Sequence, residues 1–168
     1  MSHPLVMQLR FTRREFARAL EGLSETDACR RVPPMNCISW NVGHLAWQEQ
    51  LNFLTRLQGQ TPLPHLNALV GYEQPACTPP LAEMWAAWQQ VTELVDPLLD
   101  TLTTEQLAAI VHKDDQGVIY TPGVVLQRII YHYWYHLGEN MAIRQLLGHT
   151  NLPEFVGEIE REAPYLPH

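Results

Sequence analysis

Long apolar runs are missing from these 168 residues. The opening stretch MSHPLVMQLRFTRREF reaches charged side chains within ten positions, and no later segment has the length of a membrane span. The chain is therefore expected to carry no leader peptide and no spanning helix, and to work in the cytoplasm. Cysteine is scarce as well. Cys29, Cys37 and Cys77 are odd in number and show no Cys-x-x-Cys spacing, which argues against a disulfide framework and for reduced thiols. Positive charge is thin: eleven Lys and Arg face eighteen Asp and Glu, and basic residues gather no further than the pairs Arg13-Arg14 and Arg30-Arg31. A net charge of −7 would repel a phosphate backbone, so nucleic acid is not an expected partner.

Apolar residues, by contrast, are plentiful enough for a core, and the length fits one domain over residues 1–168. Leu5, Leu9, Phe16 and Leu20 recur at helical spacing between Pro4 and Gly22, with Arg10, Arg13, Arg14 and Arg18 toward the other side. Ser24 is a cap signal, Pro33-Pro34 interrupts, and Ser39 is read as the N-cap of a second helix reaching about Gly59. The 22 residues GQTPLPHLNALVGYEQPACTPP hold five prolines and read as a long crossover. Thr78 with Pro79-Pro80 opens a third helix striped by Met84, Trp85, Trp88, Val91, Val95 and Leu98 or Leu99, which Pro97 should kink or end. VHKDDQGVIY suggests a small hairpin, and Thr121-Pro122 opens a fourth helix running to Leu147 with Gly148 as its stop. The predicted fold is all-α, a four-helix bundle with one long crossover. A faint echo between GLSETDACRRV…SWNVGHLAW and TLTTEQLAAIV…TPGVVLQRIIYHYWYH places the second and fourth helices in related positions.

The fourth helix contains the segment IIYHYWYHLGEN. At about 100° per residue, His132 and His136 lie about 40° apart with Cβ atoms roughly 6 Å apart, so both imidazoles can converge on one ion. Tyr133 follows His132 where a His-Glu-x-x-His protease would carry its glutamate, which removes most support for that chemistry. Val125, Ile129, Ile143 and Leu147 share the histidine stripe, so the rings should point into the bundle. Glu139 falls close to that stripe and could accept a ring N–H or act as a base toward bound water. On the second helix, SWNVGHLAWQEQL puts His44 on the face of Trp40, Trp47 and Leu51 with Gln48 one turn on, whereas Glu49 projects away and is expected to be solvated. Buried histidines satisfied by hydrogen bonds alone are the plain alternative for any one of these residues. Three of them, from two helices, can also supply three nitrogen ligands to a metal and leave a position open.

At these residues the sequence resembles the DinB-like (YfiT-like) metal-dependent bundles. The likeness covers nearly the whole chain: the SWNVGHLAW block after a Pro-containing loop, the crossover, the tryptophan-rich third helix, and HYWYHLGE on the fourth. It implies a four-helix bundle holding a divalent metal through His44, His132 and His136. It also implies a homodimer and a small-molecule substrate, with a low-molecular-weight thiol as cosubstrate, since maleylpyruvate isomerase, bacillithiol transferase and a domain of ergothioneine-synthesising enzymes are relatives. Zinc or nickel, and after them iron, are the ions expected on imidazole. Three functions stay open on the sequence: a thiol S-transferase or isomerase, a metal-dependent hydrolase, and a non-catalytic bundle stapled by its ion.

The other side chains receive structural readings. His3, His65, His112, His149 and His168 lie at termini, in the crossover, in the hairpin or at a helix end. Tyr133 and Trp134 should pack another helix or a dimer partner. Cys37 has no basic neighbour to lower its pKa and is not expected to be a nucleophile.

Overall fold

A computed structural model describes residues 2–113 and 119–165. Helix α1 (Pro4–Ala19) begins with proline where a free N–H would have no partner, and His3 Nδ1 accepts from Leu5 N–H at 3.2 Å. Ser24 caps the short α2 (Glu25–Cys29). Helix α3 (Ile38–Glu49) is capped by the Cys37 thiol, which accepts from Trp40 N–H at 3.4 Å, two residues before the expected Ser39. Ser39 is fully buried and its hydroxyl bonds the Pro79 carbonyl, so it ties α3 to the crossover. The helix then passes through a π-helical segment (Gln50–Thr55) into a last α turn (Arg56–Gln58), and Gly59 ends it at φ 70°.

The crossover holds one short helix, α4 (Leu66–Leu69). Helix α5 (Leu81–Thr101) starts three residues after Thr78, with Pro80 as its cap. Pro97 lies inside α5 and does not end it. Val95 and Leu99, both fully buried, hold the final turn on the core against the lost hydrogen bond. Helix α6 (Thr104–Ala108) has a reciprocal capping box between Thr103 and Gln106. Strands β1 (His112–Lys113) and β2 (Ile119–Tyr120) pair antiparallel as expected, the hairpin's tip falling outside the described residues. Thr121 caps α7 (Pro122–Leu146), and α8 (Ile159–Glu162) closes the described chain.

The four long helices α1, α3, α5 and α7 form the bundle, so the chain is all-α with a long α3–α5 crossover as predicted. Leu9, Phe16, Leu45, Met84, Val91 and Leu126 fill its centre. Among the described residues no helix is long and apolar enough to cross a membrane.

Two charged side chains correct the sequence reading. Arg13, placed on an outward face, and Glu49, expected in solvent, are both buried and paired with each other. Arg13 Nε donates to Glu49 Oε1 at 2.9 Å, its Nη2 bonds Oε2, and its Nη1 donates to Asp96 Oδ1 at 2.8 Å. Tyr133 Oη donates to Glu49 Oε1 at 2.6 Å, and Trp88 Nε1 donates to Tyr133 Oη at 2.6 Å. Burial and the Glu49 charge push the Tyr133 phenol up, which keeps its proton available for that bond. The network joins all four long helices. The reason Glu49 is not solvated is that α3 is covered on nearly every side, so the face opposite the histidine is a second interior face.

Candidate metal centre

His44 and His136 are buried at 6 % exposure and His132 is half-buried. The bundle brings together all three histidines singled out in the sequence: one ring nitrogen from each lies within 4.8 Å of the others, with ring centroids 4.6 to 5.3 Å apart. Among the described residues no other group of three His, Cys, Asp or Glu side chains is so arranged. Trp40 stacks on the His44 ring at 4.6 Å and Trp47 flanks it at 5.2 Å, so the apolar stripe of α3 forms one wall of the site.

Hydrogen bonds behind the rings fix which nitrogens face each other. His44 Nδ1 is 2.7 Å from the Val70 carbonyl oxygen, an acceptor only, so Nδ1 carries the proton and Nε2 presents a lone pair. His136 Nδ1 is 2.8 Å from Glu139 Oε2, which sets the same tautomer. Asn41 Nδ2 also donates to Glu139 Oε2 at 2.9 Å and to Asn140 Oδ1 at 2.7 Å, which anchors the carboxylate from α3. His136 Nε2 then meets His132 Nε2 at 3.0 Å, while His132 Nδ1 is buried without a partner. A single N–H can satisfy the His132–His136 contact but leaves the lone pair of His44 uncompensated. A cation accepts all three, so the donor set fits a metal of the kind imidazole binds.

Burial pushes His44 down to about 4, against the bond to Val70, and pushes His132 down to about 3 with help from His136, His44 and Arg128. Both rings are neutral near pH 7, the state a ligand needs. The shifts carry a stability consequence. The unfolded chain, with ordinary histidines near 6.5, takes up protons first as pH falls. Stability is therefore complete above that value and is lost as pH drops toward about 4 and then about 3. Thermal unfolding of EDTA-treated protein from neutral to acidic pH should show a falling Tm, with a shallower fall in His132→Gln. An equal fall in both proteins would place the dependence on other groups.

The family model of the DinB superfamily matches residues 8–139, most of the chain and all three histidines. The chain belongs to the DinB superfamily. A solved structure, the crystal structure of a conserved protein from Enterococcus faecalis, is 18 % identical with a TM-score of 0.68, over 86 % of this chain and 96 % of that one. That likeness shows the fold. Among curated proteins nothing matches.

In this DinB bundle, Glu139 sits on the Nδ1 side of His136, behind the ring rather than between the facing nitrogens. Gln48 turns to Asn52, one turn on. Tyr133 and Trp134 pack inside the chain, Trp134 against Phe11 and Phe155. The exposed aromatics of α7 are Tyr131 and Tyr135. Cys37 is a buried cap whose thiol burial pushes up, away from thiolate character. His3 caps α1, and His149 sits between Arg144 and Asp27. Sequence reasoning missed Asn41 and the Val70 carbonyl. Asn41 had a signal, being a polar residue three positions before His44 on a buried face; a loop carbonyl has none.

Proposed function

We propose that His44, His132 and His136 hold one divalent metal ion, zinc or nickel, and that the chain is a metal-dependent enzyme of the thiol S-transferase or isomerase type. The observation that carries the reading is the pair of enforced tautomers: Val70 and Glu139 each take an Nδ1 proton and aim a bare Nε2 at a common point. A bound ion supplies Lewis acidity and an uncompensated positive charge that draws a thiol in its deprotonated form. The rest falls to the chain. His44 and His132 stay neutral at working pH because they are buried. Glu139 holds the proton at His136 Nδ1 and keeps that ring in place, with Asn41 as its second anchor. Trp40 and Trp47 cover one side of His44 and restrict water there.

Metal analysis after purification and after reconstitution tests the first half, with one equivalent per chain expected. Cobalt substitution tests the second: small thiols should change the visible spectrum. A chain that takes up no stoichiometric metal under any condition refutes the site. A cobalt spectrum indifferent to every thiol removes the transferase reading and leaves an ion that only joins α3 to α7.

A further inference from the structure

Helices α3 and α7 run antiparallel past the histidines. On one side of the three rings Asn41 meets Glu139 and Asn140. On the other side, Gln48, one turn after His44, and Arg128, one turn before His132, line a cavity of about 550 Å³. That volume suits a small organic ligand. Trp47 lines the same cavity while its ring lies 5.2 Å from His44, and its Nε1 donates to Asn67 Oδ1 at 2.7 Å, which fixes the indole between the two. The cavity thus adjoins the histidine cluster, and Trp47 touches both.

The charge of the cavity runs against that of the chain. Arg56 and Arg128 both line it, and among the described residues no Asp or Glu does, although the whole chain is at −7. Arg56 is steered by Asn52, another lining residue, through Nη1 to Oδ1 at 2.7 Å. No described carboxylate forms an ion pair with either guanidinium, so both are available to a ligand. A second hollow of about 460 Å³ shares Asn52, Arg56, Tyr120 and Val125, which extends the space toward the hairpin. Apolar walls at Trp47 and Val125 with two cationic side chains on the same lining describe an amphiphilic anion site.

We propose that this cavity binds a small organic molecule bearing a carboxylate, gripped by Arg128 and Arg56 with its apolar part against Trp47 and Val125, and that it is the substrate pocket of the histidine site. The carboxylate preference stands on the cavity alone, whereas the role as substrate pocket rests on the metal reading above.

Titration calorimetry on the full EDTA-treated chain separates the two. 3-Phenylpropionate should bind at least about tenfold more tightly than its neutral amide, and Arg128→Gln should remove about that factor. Arg56→Gln should weaken binding in the same direction. Both arginines are exposed, so the variants should melt like the wild type. Equal binding of acid and amide, or an unchanged preference in the double variant, overturns the proposal; displacement by equimolar inorganic phosphate overturns the carboxylate assignment in favour of phosphoryl ligands. On the cobalt-loaded chain, 3-mercaptopropionate should perturb the spectrum at lower concentration than 2-mercaptoethanol, and Arg128→Gln should erase the difference. If the difference survives in that variant, the cavity is not the substrate pocket. If no metal binds at all, the metal reading falls while the calorimetric result still decides the anion site.

Discussion

Glu49→Ala is expected to destabilise the chain by about 3–5 kcal/mol, roughly a fifth or more of the stability of a typical domain. The carboxylate is fully buried and is the partner of Arg13, whose own side chain is only 7 % exposed. Its removal leaves a desolvated guanidinium with Asp96, half exposed, as its remaining acid, and takes the acceptor from Tyr133 Oη. Chemical denaturation should show a lower midpoint with an unchanged slope. The double variant Arg13→Met with Glu49→Leu should recover much of the loss, because an apolar pair of similar volume has no buried charge to solvate. A single variant within about 1 kcal/mol of wild type would mean that water reaches Arg13 in solution.

The second large effect is on metal affinity, and it separates ligands from the groups behind them. His44→Ala, like His132→Ala, should abolish stoichiometric binding in a competition titration against a chromophoric chelator. Glu139→Gln should weaken binding about 10–100-fold, because the amide keeps the position but holds the His136 proton less firmly. Equal losses in Glu139→Gln and His44→Ala would make the carboxylate a direct ligand. Wild-type affinity in His44→Ala would show that α3 contributes nothing to the ion.

The histidine cluster was legible because its members obey the helical period: two sit four apart on α7, and the third shares an apolar stripe with Trp40 and Trp47 on α3. Glu139 was legible for the same reason. Glu49 was not, because a helical wheel says which residues share a face and is silent on how many neighbours the helix has. Arg13 was missed with it, since each residue alone reads as a surface charge and only the pair makes burial tolerable. The caps misled by small margins. Ser39 is the better capping residue by type, yet the burial of Ile38 and the thiol of Cys37 start the helix earlier. Of the two outcomes expected at Pro97, a kink or an end, the end does not occur, because the core contacts of Val95 and Leu99 on either side hold the last turn in place.

The π segment at Gln50–Thr55 left no trace in the apolar pattern, but it decides what α3 can offer beyond His44. Bonding from i to i+5 takes up one residue more than an α turn, so everything after it is rotated by about 100° relative to a straight α-helix. Arg56 follows directly on that turn and lines the cavity. The length of chain between the histidine side of α3 and its cationic end is therefore a matter of phase as well as distance. A chain one residue shorter in this stretch could keep every other side chain and the same bundle, and would aim its guanidinium somewhere else.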